Sequence, residues 1–318
     1  MKKKRIVIIM FLLVFLIGLF VLLLFNNEKE YFNNNVTLNH WWENSDFSIP
    51  FIRKIIETDK DIEAYGPWKE EPTFTKDNNK IYFQLSCEPF YHNPELFDIN
   101  IIPYEKETDN VIIMPYASIV LNDLGHTSLG LNWNHDTFLS KRSITNKSKF
   151  CLFSVSNEKC KARNDFFTKL SEHKTVDSCG KHLNNMNQPC PGYFLSGEYF
   201  EFVGKYKFMI CFENTSLPNY FTEKLINAYY AGTIPIYWGC KNIEDYVNME
   251  SILYLKPDYT EEDMNNLIKE VIYLDNNDDA YKVKYENYFF KDGKLPDAFN
   301  IDIIKSKINK ILNKTVSS

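Results

Sequence analysis

The chain opens on an unbroken apolar run. Ile6 to Phe25 is twenty residues with one glycine and no charge, preceded by MKKKR and followed by the polar stretch NNEKEYFNNN. About twenty apolar residues span a bilayer core. A cleaved signal peptide has a shorter run and a small-residue cleavage site, and FNNEKEYF offers none. The pattern predicts a retained anchor at 6–25, a stem at 26–35 and, by the positive-inside rule, a cytoplasmic tail at 1–5. Everything beyond then faces a lumen or the exterior.

After the stem, short apolar stretches alternate with polar ones. VTLNHWW, KIYFQLS, LFDINIIPY and NVIIMPYASIV read as strands, and FSIPFIRKIIE as a helix with Phe51, Ile52, Ile55 and Ile56 at helical spacing. TDKDIEAYG reads as a polar turn. LNDLGHTSLGLNWNHDTFLSKRSITNKS is loop-like and is the expected domain junction. Beyond it come a strand KFCLFSVS, a helix RNDFFTKLSEH and a loop HLNNMNQPCPGYFLSG. GEYFEFVGKYK then leads into a strand FMICF and a helix over Tyr220–Ala231 ended by Gly232. TIPIYWG and ILYL are strands, EEDMNNLIKEVIYL is a helix, and a terminal helix closes the chain. The alternation predicts a doubly wound parallel sheet. The expected domains are 36–148 and 149–318, the second including the terminal helix.

Composition narrows the partners. The formal net charge is −6 and no basic face follows the first five residues, which argues against nucleic acid. Seven cysteines suit an oxidising compartment and leave at least one unpaired if pairing is intramolecular. Cys151 and Cys211 sit in apolar runs and read as buried thiols. Cys160, Cys179 and Cys190 lie in polar loops and are the better bridge candidates. Sequons stand at Asn35, Asn146, Asn214 and Asn313. Asp59 and Asp61 have a DxD spacing but read as surface residues, and the histidines form no metal-binding pattern.

The candidate chemistry lies in residues 212–239, FENTSLPNYFTEKLINAYYAGTIPIYWG. Ligands of open α/β sheets bind at the carboxyl ends of strands, so Glu213, Asn214 and Tyr220 flank a crevice. Helix N–H groups attract anions there, Lys224 adds a cation, and Glu223 offers acceptor oxygens to sugar or ribose hydroxyls. The combination suits a nucleotide-sugar. Helix-dipole complementation and a solvated lysine would account for the same residues, and the local pattern leaves both readings open.

The same stretch closely resembles the donor-binding motif of the α1,3-fucosyltransferase family. KFCLFSVSNEKCKARNDFFTKLSEHKTVDSCG is similar to the family's first donor-domain strand and helix, with Cys179 in place of the first of two glycines and Gly180 kept. NHWWEN, SCEPFYHNPELFD and IMPYAS are similar to N-terminal motifs of the family, with Ser86, Cys87 and Pro89 departing from its Thr-Gly-Glu-Asn.

The resemblance implies two Rossmann-like domains facing a cleft, the GT-B arrangement, here behind a transmembrane helix. It implies transfer of fucose from GDP-β-L-fucose to an acceptor glycan with inversion, with an α1,3 linkage, in protein glycosylation. By motif position, Glu88 is the catalytic base, and Lys224 and Arg163 are cations at the leaving diphosphate. Asn214, Tyr220 and Glu223 contact the donor, and Asn214 is then too buried to carry a glycan. Tyr91 and His92 are weaker acceptor contacts. No cofactor is required and no metal ligand is assigned, with manganese stimulation left open. A eukaryotic source would make it a type II Golgi protein. A different nucleotide-sugar, or a non-catalytic lumenal glycan-binding role, stays as an alternative.

Overall fold

The computed structural model describes residues 35–41, 48–122, 136–193 and 195–315. The expected tail, anchor and nearly all of the stem lie outside the described residues, as does the second half of the NHWWEN turn, 42–44. Among the described residues no helix is long and apolar enough to cross a membrane.

The first unit is a five-stranded parallel sheet in sequential order: β1 Val36–Asn39, β2 Asp61–Tyr65, β3 Lys80–Leu85, β4 Ile99–Ile101 and β5 Val111–Ile112. The second is a five-stranded parallel sheet in the order β10-β9-β8-β6-β7. Its strands are β6 Lys149–Phe153, β7 Asp177–Ser178, β8 Tyr206–Ile210, β9 Ile234–Tyr237 and β10 Leu253–Tyr254. Parallel strands covered on both faces read as near-continuous apolar runs, and IPIY of β9 is buried throughout.

Helix α1, Ser48–Ile55, lays Phe51, Ile52 and Ile55 on the first sheet. Helix α2, Tyr116–Asn122, follows β5, and the single turn α3, Asp136–Leu139, precedes β6. In the second unit α4, Lys161–His173, follows β6; α5, Gly197–Val203, precedes β8; and α6, Glu223–Tyr230, joins β8 to β9. Helices α7, Glu261–Asp275, and α8, Asp278–Tyr285, cover β10 and β8, and α9, Ile301–Thr315, ends the described chain.

Five elements differ from expectation. NVIIMPYASIV is not one strand: Pro115 has no N–H to donate to a ladder, and its carbonyl instead accepts from Ser118 N at 2.8 Å as α2 begins. DIEAY is a strand rather than a turn, with Ile62 and Ala64 buried between half-buried neighbours, and Asp61 of the DxD pair caps the Asn35 amide at 2.9 Å. The helix of the donor-like motif starts at Glu223, three residues later than expected, because Glu213 holds Thr222 extended. Helix α8 was not foreseen; Asn277 caps it through Ala280 N at 3.0 Å. The terminal helix does not pack on the second unit. Ile304 and Ile308 sit in the core of the first with Phe51 and Ile55, so the chain crosses back.

Of the three loop cysteines, Cys179 and Cys190 form a disulfide. Cys160 is a buried free thiol, as are Cys87, Cys151, Cys211 and Cys240.

Candidate active site

The second sheet has a topological switch. From β6 the chain goes to β7 on one side and to β8 on the other, which opens a crevice at the carboxyl ends of β6 and β8, where α/β sheets bind ligands. Residues 211–222 leave β8 into this crevice, and Arg163 enters it from α4.

Glu213 organises the turn. It is fully buried. Its Oε1 accepts from Thr222 N at 2.7 Å, and its Oε2 from Thr222 Oγ1 at 2.8 Å. Gly239, at φ +147°, lies against it: a Cβ there would stand 2.5 Å from Glu213 Cγ. Burial raises the Glu213 carboxyl above its ordinary pKa, opposed by Lys224 and the Thr222 hydrogen bonds. Asn219 turns the chain at φ +54°, a conformation asparagine tolerates. It is held reciprocally by Asn242 at 2.7 Å in both directions and by the Tyr246 hydroxyl at 2.6 Å. No glycine is needed.

Lys224 is the cation of the crevice. Its Nζ donates to Thr222 Oγ1 at 2.9 Å and lies 3.4 Å from both Glu213 Oε2 and Glu223 Oε1. Burial pulls its pKa down, but the two carboxylates more than offset that and raise it, so the ammonium is kept charged. Thr222, the N-cap of α6, makes no side-chain cap bond, which leaves first-turn N–H groups of the helix for a ligand.

Arg163 lies beneath the turn, 1% exposed. Its Nη1 donates to Phe212 O at 3.4 Å and Asn214 Oδ1 at 3.1 Å, and its Nη2 to Asn157 O. Its Nε has no partner. The guanidinium thus ties the β6 loop to the β8 turn. Asn214 is exposed rather than buried; the amide stands at the rim of the crevice because the strand has ended and only its Oδ1 is anchored below. Burial therefore does not close its sequon. Tyr220 is buried and faces the other unit, its ring 6.5 Å from that of Tyr104. Ala117 N donates to Phe221 O at 3.2 Å, so the turn is also the seam between the two sheets.

Glu88 reaches the same place from the first unit. The buried Ser86 hydroxyl lies 3.0 Å from Glu88 O and 2.6 Å from Phe90 O, so replacing threonine by serine keeps the anchoring hydroxyl. Gln84, buried in β3, closes the loop: its Oε1 accepts from His92 N at 2.6 Å and its Nε2 donates to His92 O at 3.1 Å. Burial raises the Glu88 carboxyl pKa. Lys224 opposes the rise, and Glu223 and Glu213 add to it. Glu88 therefore shares a field with the motif from the opposite sheet. Tyr91 donates to Glu105, and His92 is buried with Nε2 3.0 Å from Gly66 O. Both serve to hold loops in place.

The sequence places Glu213 at the crevice without giving it a role, and it does not single out Gln84 or Tyr104. A lone glutamine inside the apolar run KIYFQL was the available signal for Gln84. Three buried side-chain donors lack partners: Arg163 Nε on α4, Ser216 Oγ beyond β8 and Trp238 Nε1 beyond β9. Orphaned buried donors in one crevice are what an acceptor-rich ligand would satisfy. Asp59 is exposed, and among the described residues no group of three or more His, Cys, Asp or Glu is arranged to hold a metal ion.

Comparison with known proteins agrees with this geometry. The model of the C-terminal region of glycosyltransferase family 10 (fucosyltransferase) matches residues 144–291. The Helicobacter pylori alpha-(1,3)-fucosyltransferase is 29% identical over 214 residues, 66% of this chain and 41% of the relative. The Xenopus laevis GDP-fucose protein O-fucosyltransferase 3 is 31% identical over 125 residues, 37% of this chain and 26% of the relative. The chain spans about two fifths or less of the length of these curated relatives. A crystal structure of an alpha1,3-fucosyltransferase with GDP superposes with a TM-score of 0.65, covering 90% of this chain and 92% of that one at 22% identity; this establishes the two-sheet GT-B fold. With the donor-like motif, the crevice and the family model in agreement, residues 144–291 match the C-terminal region of glycosyltransferase family 10, the fucosyltransferases.

Proposed function

We propose that the protein transfers L-fucose from GDP-β-L-fucose to a hydroxyl of an acceptor glycan, with inversion and an α1,3 linkage. The observation that carries this reading is that Glu88, from one sheet, lies within electrostatic reach of Lys224, Glu223 and Glu213 from the other. An inverting transfer needs that pairing. As the acceptor oxygen bonds to the fucose anomeric carbon, the bond from that carbon to the β-phosphate oxygen breaks and GDP leaves with the electron pair. The acceptor proton passes to Glu88, placed to act as general base. Lys224 and the α6 N–H groups meet the charge that develops on the diphosphate. Glu223 accepts from donor hydroxyls, and Arg163 holds the crevice floor with its free Nε toward the same ligand. The reading extends to protein glycosylation and to a type II anchor at residues 6–25, in a Golgi membrane where the source is eukaryotic.

The test uses the full chain in detergent with GDP-fucose, GDP-mannose and UDP-sugars. GDP but not UDP is expected to raise the melting temperature, and only GDP-fucose to be turned over or hydrolysed. Turnover of another sugar in its place would assign a different donor, and protection by UDP alone would sink the reading. Replacing Lys224 by Ala is expected to raise the donor KM and lower kcat together, with kcat/KM falling about 10²–10³-fold, the size of losing one donor aimed at developing charge. Unchanged values of both would remove Lys224 from the diphosphate site.

A further inference from the structure

We propose that Trp68 and Phe90 form a stacking platform for a sugar ring of the acceptor, one ring removed from the one that receives fucose. The proposal rests on the transfer reading and adds a place that selects oligosaccharides over monosaccharides.

Strands β1, β2 and β3 are parallel neighbours, so the loops leaving them share one edge of the sheet. Glu88 leaves β3 on that edge. Trp68 and Phe90 are 42% and 44% exposed, and their rings meet edge-on at 5.6 Å. Phe90 is two residues from Glu88, within about 7 Å of backbone.

The loops that carry the two rings are stitched together. His92 Nε2 lies 3.0 Å from Gly66 O, Glu71 Oε2 accepts from Asn93 N at 2.8 Å, and Trp68 N donates to His40 O at 3.4 Å. Gly66 is packed so closely that a Cβ would stand 2.6 Å from His40 O. Large aromatics fixed in water on a braced surface mark a binding site rather than a loose loop.

Beside Trp68 an open pocket of about 830 Å³ is lined by Asn39, His40, Tyr65, Lys69, Glu70 and Glu71. His40 stands in the left-handed region at φ +54°, and its Nδ1 is buried with no hydrogen-bond partner. A pyranose has an apolar C–H face and a rim of hydroxyls. Aromatic faces beside two carboxylates, an ammonium and an unpartnered imidazole nitrogen complement both. A lipid chain or an apolar partner surface would be ill served by that charged rim.

The experiment presents the full chain, with GDP, to an array of N-acetylglucosamine, chitobiose, N-acetyllactosamine and their longer repeats. Trp68→Ala and Phe90→Ala are each expected to weaken binding of the di- and longer saccharides roughly tenfold, the scale of one aromatic contact. Monosaccharide binding and the GDP-induced rise in melting temperature should be unchanged, which shows the variants fold with an intact donor site. In transfer assays the oligosaccharide KM rises about as much while kcat and donor KM hold. Trp68→Phe, which keeps a ring face, should retain most of the binding. Undiminished oligosaccharide binding in both alanine variants overturns the platform. So does equal loss for mono- and oligosaccharides, absence of any bound glycan with the parent chain, or self-association that Trp68→Ala abolishes. Glycan binding lost in the variants while no nucleotide-sugar is turned over by the parent would sink the transfer reading and leave the platform standing.

Discussion

Replacing Glu88 by Gln is expected to lower kcat for transfer about a thousandfold, within the usual range for general acid–base catalysis, and to leave GDP binding intact. The amide has the size of the carboxylate, and the loop is held through backbone carbonyls by Ser86 and through His92 by Gln84, so the geometry survives. What is lost is the ability to accept a proton. GDP should bind no more weakly, because Glu88, Glu213 and Glu223 together place three carboxylates near one ammonium, and removing one charge eases the approach of a diphosphate. Single-turnover transfer and calorimetric GDP titration on the same preparation decide the matter. Transfer within tenfold of the parent would dismiss Glu88 as the base.

The pH dependence follows from the same environment. Burial, with Glu223 and Glu213, raises the Glu88 pKa, and Lys224 holds it back. A base works only when ionised, so kcat/KM should rise through an acid limb whose midpoint lies above the ordinary glutamate value. Lys224→Met removes the lowering influence and should move that limb to still higher pH, whatever it does to the maximum rate. A limb at or below the ordinary glutamate value would place the titrating base elsewhere.

The donor half of the site was legible because its residues are close in sequence. Glu223 and Lys224 are adjacent, and Glu213 and Gly239 bracket one turn–helix–strand unit, so a twenty-eight-residue reading sees them together. The role of Glu213 was not legible. A glutamate after a strand looks like any crevice-facing carboxylate, and only its burial shows that it holds the Thr222 amide and hydroxyl. Arg163 lies under the turn of the donor-like motif, and its depth there depends on Asn157 and Phe212, a packing fact with no local pattern. The approach of Glu88 to Lys224 depends on how two sheets dock, and so does the passage of α9 from one unit to the core of the other. An amphipathic helix announces an apolar face but not which core will receive it. The β2 strand was hidden for a different reason: DIEAY alternates at period two, but Asp59, Lys60 and Asp61 at its start make the stretch read as a polar turn.

Gly239→Ala is expected to have the largest effect on stability. At φ +147° an added side chain is strained wherever it points, and here it points at Glu213, with Cβ 2.5 Å from Glu213 Cγ and 2.6 Å from its Cβ. Glu213 cannot retreat: it is fully buried, and both carboxylate oxygens are bound by Thr222. Backbone strain and overpacking each cost about 1–3 kcal/mol, so a total of about 3 kcal/mol and a fall of roughly 6–12 °C in melting temperature are expected. The damage should also be chemical. Thr222 stands at the start of α6 and accepts from Lys224 Nζ, so displacing Glu213 moves the cation and the helix start as a unit and weakens GDP binding. Glu213→Gln separates the two effects. It fits the same space beside Gly239, so most of the stability should remain, while Lys224 loses one of its two carboxylate partners and GDP affinity shifts without a large change in melting temperature. Thermal melts with and without GDP on both variants carry the test. A Gly239→Ala protein that melts with the parent and binds GDP equally well would show that the β9 turn yields, and that Glu213 does not organise the site.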